Sequence, residues 1–291
     1  MSLSSHYRKL QQALTGLDSV AVAFSGGVDS TLLLKVACDV LGPRQVLALT
    51  ATSPIFPQHE LDWCREFTRQ LTVRHLLFAG DELELAGFVE NGPERCYHCK
   101  LNLYQHFLTA IEKHGQPVLL DGSNLDDLTD YRPGRKAVVQ LDIRTPLLDA
   151  GFDKKMIRAL SKELDLPTWN KPAFACLATR FPYGTRITRD KLEQVSHCEA
   201  WLYRQGFSNY RVRVHDNLAR IEVSPEEMSR LLAPGLKEEL ISICKTNGFD
   251  YVTLDLQGFR SGSMNECLPA SQQKTGVATQ PGSIADSSPT S

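Results

Sequence analysis

Residues 20–34 read VAVAFSGGVDSTLLL, and this stretch decides the fold of the chain. A β-prone apolar run ends abruptly at Ser25-Gly26-Gly27, and an apolar helical pattern begins directly after it. Glycine at positions 26 and 27 allows a positive φ and lets a ligand approach the backbone closely. The first N–H groups of the following helix lack helical partners and lie at the positive end of its dipole. With the hydroxyls of Ser25 and Ser30, this strand, turn and helix predict an anion site suited to phosphate.

The glycine turn does not match the two commonest nucleotide-binding motifs. It lacks the spacing G-x-x-x-x-G-K-[ST] and has no lysine in the loop, and it is not G-x-G-x-x-G. The residues SGGVDS instead resemble the PP-loop of the ATP pyrophosphatases, which grips pyrophosphate while ATP is cleaved to AMP and pyrophosphate. An ordinary βα turn with a capping serine is the alternative interpretation.

Composition narrows the class of protein. The 291 residues are 42% hydrophobic with a net charge of −2, which suits one large or two modest domains and gives no global basic field for nucleic acid. The first residues show no apolar signal-peptide run, and no stretch approaches ~20 unbroken apolar residues. We therefore expect a cytoplasmic protein without membrane contact. Thiols stay reduced in the cytoplasm, so eight cysteines indicate chemistry or metal binding more than disulfides.

Strand and helix patterns alternate on both sides of the glycine turn. Strands are predicted at 20–24, 46–50, 73–78 and 118–120, and helices at 4–16, 28–41, 57–71 and 100–114. Strands separated by helices with short loops predict an α/β fold, a doubly wound parallel sheet of the Rossmann-like type. Ligands of such sheets bind at the carboxyl ends of the strands, where SGGVDS, Ala51 and the loop after residue 120 would meet. Residues 79–95 are acidic and are predicted to form a loop.

The pattern changes beyond the proline at position 167. We predict a first domain at 1–167 and a smaller α+β domain at 168–260 with the element order αββααβ. After residue 260 the chain is rich in Ser, Gln, Pro and Thr and poor in apolar residues. Such a composition cannot bury a core, so a disordered tail is predicted at 261–291.

Three cysteines stand apart because they lie beside glycine, proline and basic residues. We expect Cys96, Cys99 and Cys176 on loops, whereas the helical patterns predict small buried core residues at Cys38, Cys64, Cys198 and Cys244. A C-x-x-C pair is half a zinc site, a dithiol redox pair or part of a cluster site. No second C-x-x-C completes a Cys₄ zinc site. Three cysteines fit a [4Fe–4S] cluster with one open iron, and they also fit a pair that resolves a persulfide on the third cysteine. The cations expected to favour thiolates there are Arg95, Lys100 and Arg180.

Several motifs together resemble one family. SGGVDS, CYHCK, DGSNLDD with DYRPG, CLATRFPYG and YRVR are similar to the LarE family, the ATP-dependent sulfur transferases of nickel-pincer nucleotide biosynthesis. The resemblance covers about residues 10–258. It implies that ATP adenylates a carboxylate of pyridinium-3,5-biscarboxylic acid mononucleotide, that a sulfur donor displaces AMP, and that the cycle repeats at the second carboxylate. It also implies ATP and Mg²⁺ as cofactors and a homo-oligomer, a hexamer.

The resemblance leaves two sources of sulfur open. Cys176 matches the family's sulfur-donating position, and in many members it is the only active-site cysteine and ends as dehydroalanine. This sequence has Cys96 and Cys99 as well, a pattern that resembles the cluster-bearing branch of the family. In that branch three cysteines hold [4Fe–4S], and an extra sulfide on the open iron is transferred. We favour the cluster and keep the sacrificial Cys176 as the alternative.

The resemblance also implies roles for individual residues. Those expected to bind ATP and Mg²⁺ are Ser25, Gly26, Gly27, Asp29, Ser30, Ala51, Gly122 and Asp127. Those expected to bind the phosphate and carboxylates of the substrate are Arg180, Arg211 and Arg213, because guanidinium forks match both groups. Glu199 is expected to bind metal or to order these arginines. The alternatives are a solvated strand face for Arg211 and Arg213 and a plain surface position for Glu199.

Other classes of protein share part of this pattern. A tRNA thiolase of the same superfamily also joins a PP-loop to C-x-x-C and a third cysteine, but it needs a basic RNA surface, and this chain is net acidic. An ammonia-dependent ligase of the NAD synthetase type needs no cysteines. A zinc or redox module without enzymatic activity would leave SGGVDS unexplained. We therefore predict a small-molecule enzyme that does not bind nucleic acid.

Overall fold

The computed structural model describes residues 2–80, 82–115, 118–129, 131–172, 175–260 and 263, which form two sheets. Apart from Ser263, the predicted tail at 261–291 lies outside the described residues, so its disorder stays a prediction. None of the helices in the described part of the chain is long and apolar enough to span a membrane.

The larger sheet is parallel throughout. Its strands are β1 (Val20–Ala23), β2 (Val46–Thr52), β3 (Arg74–Ala79) and β4 (Leu119–Leu120). They lie in the order β3-β2-β1-β4, so the chain winds outward from β1 to β3 and then crosses to the other side of β1. The predicted doubly wound parallel sheet is confirmed. Its direction of winding reverses between β1 and β4, which is where such sheets bind ligands.

Helices cover both faces of this sheet. They are α1 (Leu3–Thr15), α2 (Val28–Leu41), α3 (Gln58–Gln70), α5 (Arg95–Lys113), α6 (Gly134–Gln140), α7 (Pro146–Asp149) and α8 (Lys154–Glu163), whereas the short α4 (Ala86–Val89) packs in a different core. The core on the side of α1, α2, α3 and α8 contains Val20 and Val22. The core on the side of α5 and α6 contains Ala21, the residue between these two valines in β1. Successive residues of a strand point to opposite faces, so a strand covered on both sides must be apolar throughout.

The second sheet belongs to a smaller unit. Its elements are α9 (Arg189–Arg204), β5 (Tyr210–His215), β6 (Leu218–Val223), α10 (Met228–Leu231), α11 (Leu236–Thr246) and β7 (Tyr251–Leu254). β6 pairs antiparallel with β5 and parallel with β7, and the order of elements agrees with the predicted αββααβ. The apolar core of this unit also contains Ile55, Phe88 and Val89 from the first half of the chain. The division at residue 167 therefore stays a prediction, and packing crosses it.

Two local predictions are wrong. Cys96 and Cys99 do not lie on a loop, because α5 begins at Arg95 and includes both. Gly134 lies against the main chain of Cys96, so the packing of α6 on this end of α5 supports the additional helical turn. The segment 79–95 is not all loop either, since the short α4 buries Phe88 in the second core. The prediction that Cys38, Cys64, Cys198 and Cys244 are buried is confirmed.

Candidate functional site

A cavity of about 360 Å³ lies at the carboxyl ends of the parallel strands. The loop after β1, the end of β2 and the loop after β4 line it, as the reversal of winding between β1 and β4 predicts. The predicted nucleotide-site residues that line it are Ser25, Asp29, Ser30, Ala51, Gly122 and Asp127. Gly26 and Gly27 form the turn beside this cavity, which we call the nucleotide cavity. Three distant segments of sequence thus meet at one site.

One position in the turn at residues 25–30 requires glycine. Gly26 has φ +72°, and a Cβ at this residue would lie 2.7 Å from the sulfur of Cys64, so only glycine fits. Gly27, in contrast, has φ −76° and precedes α2. Ser30 closes the turn, because its hydroxyl donates to the carbonyl of Gly27 at 3.2 Å and accepts from the N–H of Ser25 at 3.3 Å. These contacts hold the first N–H groups of α2 at the cavity.

Two carboxylates face the nucleotide cavity from opposite segments. Asp29 forms an ion pair with Lys154 of α8, and Asp127 lies 3.2 Å from Nε of Arg132. Burial raises the pKa of Asp29, Lys154 opposes this effect, and the charge of Asp127 adds to it. In the described part of the chain, no three His, Cys, Asp or Glu side chains are arranged to hold a metal ion. Two carboxylates nevertheless suit Mg²⁺, which takes its remaining ligands from substrate phosphates and water.

A buried polar network supports the loop after β4. Asp121 accepts hydrogen bonds from the N–H of Ser123 at 2.8 Å and from the hydroxyl of Tyr104, and Nζ of Lys100 lies 2.9 Å away. Burial alone would raise the pKa of Asp121, but Lys100 and these hydrogen bonds outweigh it and lower the pKa to about 2. The carboxylate is therefore ionised at neutral pH. It places the Lys100 ammonium on the wall of the nucleotide cavity.

The three predicted cysteines lie together beside the same cavity. Cys99 and Cys176 line it, and all three are partly buried free thiols. Burial raises the pKa of the Cys99 thiol, and the charges of Cys176 and Cys96 raise it further. Cys96 lies three residues before Cys99 on α5, so the two cysteines share a face of that helix. They do not converge as ligands of one ion. A [4Fe–4S] cluster binds each cysteine through a different iron, so the donor set suits a cluster, and it suits a persulfide pair equally.

Arg180 holds the backbone at Cys176. Its Nη1 donates to the carbonyls of Ala175 at 2.8 Å and Cys176 at 3.2 Å. Its Nε and Nη2 each donate to Glu199 at 2.8 Å, and Glu199 also accepts from the N–H of Val212. Arg180 is 1% exposed and Glu199 is 4% exposed. These contacts favour a role in ordering the Cys176 turn over the predicted roles of substrate ligand for Arg180 and metal ligand for Glu199.

Two more buried arginines hold the same turn from other directions. Nη1 of Arg213 donates to the carbonyl of Thr179 at 2.8 Å, while its other nitrogens donate to Glu222 at 3.0 Å. Nη1 of Arg95 donates to the carbonyl of Ala178 at 3.0 Å. Carbonyls of residues 175, 176, 178 and 179 therefore all accept from arginine. Sequence reasoning missed this arrangement, because each arginine comes from a different element.

The three cations that were expected to favour thiolates differ in their partners. Lys100 is paired with Asp121, and Arg180 is paired with Glu199. Arg95 contacts a thiol, since its Nη2 lies 3.9 Å from the sulfur of Cys96. The expectation is thus supported most directly for Arg95.

Arg211 lines a second cavity of about 520 Å³, which we call the arginine cavity. Arg204 and Tyr203 of α9 line it as well, together with Lys171. Burial and the charge of Arg180 lower the pKa of Arg211 to about 10, so this guanidinium stays charged at neutral pH. Arg211 donates to the carbonyl of Tyr210 at 2.6 Å, and its guanidinium lies 4.8 Å from the ring centre of Phe259. The cavity lining carries four Lys or Arg side chains against three Asp or Glu side chains.

Comparison with known proteins finds relatives along nearly the whole chain. The chain is 39% identical over 274 residues to the pyridinium-3,5-bisthiocarboxylic acid mononucleotide synthase of Lactiplantibacillus plantarum. The aligned region covers 94% of this chain and 99% of that protein. It is 41% identical over 266 residues to an uncharacterized protein of Synechocystis, covering 91% of this chain and 99% of that one. It is 30% identical over 242 residues to an uncharacterized protein of Methanocaldococcus jannaschii, and this alignment covers 83% of this chain and 91% of that protein. No protein-family model matches the chain.

Proposed function

Because the chain belongs to the LarE family, as its identity to the Lactiplantibacillus synthase shows, we propose that it is an ATP-dependent sulfur transferase acting on pyridinium-3,5-biscarboxylic acid mononucleotide. The name of that relative describes a product in which both carboxyl groups carry sulfur. One observation carries the proposal here: the loop at residues 25–30 and Cys176 line the same cavity. A nucleotide held by the loop would thus lie beside a sulfur atom.

The first step activates the carboxylate. One carboxylate oxygen of the substrate attacks the α-phosphorus of ATP, the bond from that phosphorus to the bridging oxygen breaks, and pyrophosphate leaves. The N-terminus of α2, with the hydroxyls of Ser25 and Ser30, would hold the departing phosphates. Asp29 and Asp127 would hold Mg²⁺, which neutralises phosphate charge when bound. A carboxylate is a poor electrophile, and the adenylate formed in this step gives it a good leaving group.

The second step introduces sulfur. A sulfur nucleophile attacks the acyl carbon, and the bond from that carbon to the AMP oxygen breaks. Cys96, Cys99 and Cys176 would hold a [4Fe–4S] cluster, which would supply a sulfide. In the alternative, the Cys176 thiolate forms a thioester, its α-proton is lost, and its Cβ–Sγ bond breaks to leave the thiocarboxylate and dehydroalanine. The position of Cys99 and Cys176 on one cavity, with Cys96 on the same face of α5 as Cys99, supports the first route.

The substrate itself must be held next to both reactants. Arg211 in the arginine cavity is the residue that we propose for its phosphate, since guanidinium binds phosphate through two parallel hydrogen bonds. Arg180 and Arg213 would act indirectly by fixing the Cys176 turn. A hexamer and a cytoplasmic location, both expected from the sequence, remain part of the proposal, and light scattering would test the first.

The decisive measurement is release of inorganic pyrophosphate when protein, ATP and Mg²⁺ are given the pyridinium biscarboxylate. We expect release that depends on this substrate, and no release would overturn the proposed function. Anaerobic purification followed by iron and sulfide assays tests the sulfur source. Colourless protein that loses about 34 Da at Cys176 on turnover would replace the cluster with the sacrificial route, because that mass is the loss of H₂S from cysteine.

A further inference from the structure

Lys171 contacts the nucleotide loop from outside the sheet. Its ammonium donates to the carbonyl of Gly26 at 3.1 Å and to the carboxylate of Glu60, and it lies 4.6 Å from the ring centre of Trp63. Glu60 is 6% exposed, so this ion pair is partly desolvated. An ammonium has three N–H donors and no acceptor. A carbonyl, a carboxylate and an aromatic face are the partners that such a group prefers.

The backbone of Lys171 is fixed independently of its side chain. Arg158 of α8 donates to the carbonyl of Trp169 at 2.8 Å and to the carbonyl of Lys171 at 2.7 Å. Both ends of Lys171 are therefore held, the main chain by α8 and the ammonium by α3 and the loop. Because a lysine side chain loses much rotamer freedom when it is fixed, a position held at both ends is organised before any ligand binds.

The contact with Gly26 determines the direction of the next N–H group. In a trans peptide the carbonyl oxygen of one residue and the N–H of the next point in opposite directions, and the described residues contain no cis peptide. A Gly26 carbonyl held on Lys171 therefore directs the Gly27 N–H away from Lys171. The nucleotide cavity, lined by Ser25 and Asp29, begins with this loop, whereas Lys171 lines the arginine cavity.

We propose that Lys171 is a positioning residue for the nucleotide loop. The inference rests on the proposed function. Lys171 orients the Gly26–Gly27 peptide so that its N–H is available to a phosphate oxygen of ATP, and its positive charge polarises that peptide.

The test compares two lysines that each lie over a tryptophan. Lys171→Met keeps the aliphatic stem over Trp63 but removes the ammonium, and Lys162→Met does the same over Trp169, where Nζ lies 4.9 Å from the ring centre and makes no described contact with the loop. For Lys171→Met we expect the KM for ATP in pyrophosphate release to rise about tenfold, the expected effect of losing a hydrogen bond from a charged group, with kcat changed less. Lys162→Met should match the unmodified protein. Lys171→Arg should recover part of the affinity.

Each outcome decides the inference. A folded Lys171→Met protein with a KM for ATP within about twofold of the unmodified protein overturns it, and so does an equal rise in Lys162→Met. If Lys171→Met does not fold, Arg158→Gln replaces it, with a rise of about threefold expected because the Lys171 backbone loses its hydrogen bonds; an unchanged KM there overturns the inference. Absence of pyrophosphate release from the unmodified protein would instead overturn the proposed function.

Discussion

The nucleotide loop and the Cys176 turn line the same cavity but are built in different ways. The loop at residues 25–30 is closed mainly by its own residues, since Ser30 bonds to Ser25 and to Gly27, and Lys171 adds one bond to Gly26 from a distant segment. The turn at residues 176–180 is held by long-range contacts, in which arginines of α5 and β5 and the Arg180–Glu199 pair fix its carbonyls. Phosphate binding needs backbone N–H groups, which a short motif can supply. A reactive thiol needs its main chain fixed from several directions, which a short motif cannot supply.

The largest expected effect comes from a substitution that should stop sulfur transfer and leave adenylation intact. Cys176→Ala should abolish formation of thiocarboxylate, because Cys176 is a cluster ligand in one proposed route and the sulfur donor in the other, while substrate-dependent pyrophosphate release continues for a single turnover. Mass spectrometry of the product measures sulfur transfer, and a pyrophosphate assay measures adenylation. Cys38→Ala, which alters a buried core thiol outside the cavity, is the matched control. If Cys176→Ala formed thiocarboxylate at the normal rate, Cys176 would not be needed for sulfur transfer. The nucleotide loop and the Cys176 turn would then not have separate roles in the reaction.

The second prediction breaks the long-range support of the Cys176 turn. Arg180→Met leaves the Glu199 carboxylate buried without its partner, which should lower the free energy of unfolding by about 3–5 kcal/mol. Thiocarboxylate formation by the folded fraction should fall further than pyrophosphate release. Denaturant titration gives the stability. The control is Arg65→Met, which removes an exposed ion pair with Asp62 and should cost less than about 1 kcal/mol.

The third prediction breaks the loop instead. Gly26→Ala forces alanine into a left-handed backbone conformation against Cys64, a strain of about 1–3 kcal/mol. We expect the KM for ATP to rise about tenfold, since 1.4 kcal/mol corresponds to a factor of ten in affinity. Gly16→Ala is the control, because a Cβ there meets nothing within 4 Å. An unchanged KM for ATP in Gly26→Ala would show that the loop accommodates a Cβ at residue 26. The loop would then differ more strongly from the Cys176 turn, whose carbonyls are fixed by arginines.

The smallest expected effect is a dependence of stability on pH beside the loop. Nε2 of His75 donates to the hydroxyl of Thr50, and that hydroxyl donates to the carbonyl of Phe24 at 2.7 Å. Burial, with a smaller effect of Arg65, lowers the pKa of His75 to about 4 from 6.5, so the unfolded chain takes up its proton first on acidification. Stability should therefore fall as the pH drops from about 6.5 to 4. Denaturant titrations at several pH values should show a flatter profile for His75→Gln, and an identical profile would contradict this assignment.

The sheet and the nucleotide cavity could be predicted because local patterns encode them. Apolar runs at β1 and β2, separated by α2, fix a parallel α/β sheet, and the carboxyl ends of its strands meet by geometry. The contacts made across the sheet had no such signal. Lys154 reaches Asp29 over 125 residues, and Lys171 reaches Gly26 over 145. Neither lysine lies in a motif, and sequence spacing does not determine which charged side chains meet in the folded chain.

The contacts of the predicted site residues differ from what their positions in the sequence suggested. Cys96, Cys99 and Cys176 were predicted as one group; Cys99 and Cys176 line one cavity, and Cys96 and Cys99 lie in a helix rather than on a loop. Arg180 and Arg213 were expected to face the substrate, but their nitrogens are bonded to Glu199, Glu222 and main-chain carbonyls. An arginine two residues from another on a strand shares its face, yet burial depends on what packs over that face. Only the three-dimensional contacts distinguish a binding arginine from a supporting one.

The shared second core has a consequence for how this chain is made. Ile55, Phe88 and Val89 are translated early, but β5 and β6, which contribute to the same core, are translated more than a hundred residues later. A nascent chain emerges from the ribosome at about 5–20 residues per second, so these apolar side chains stay exposed for several seconds. A fragment that stops near residue 167 would expose them permanently, and it would be a natural client for chaperones rather than a free-standing enzyme half.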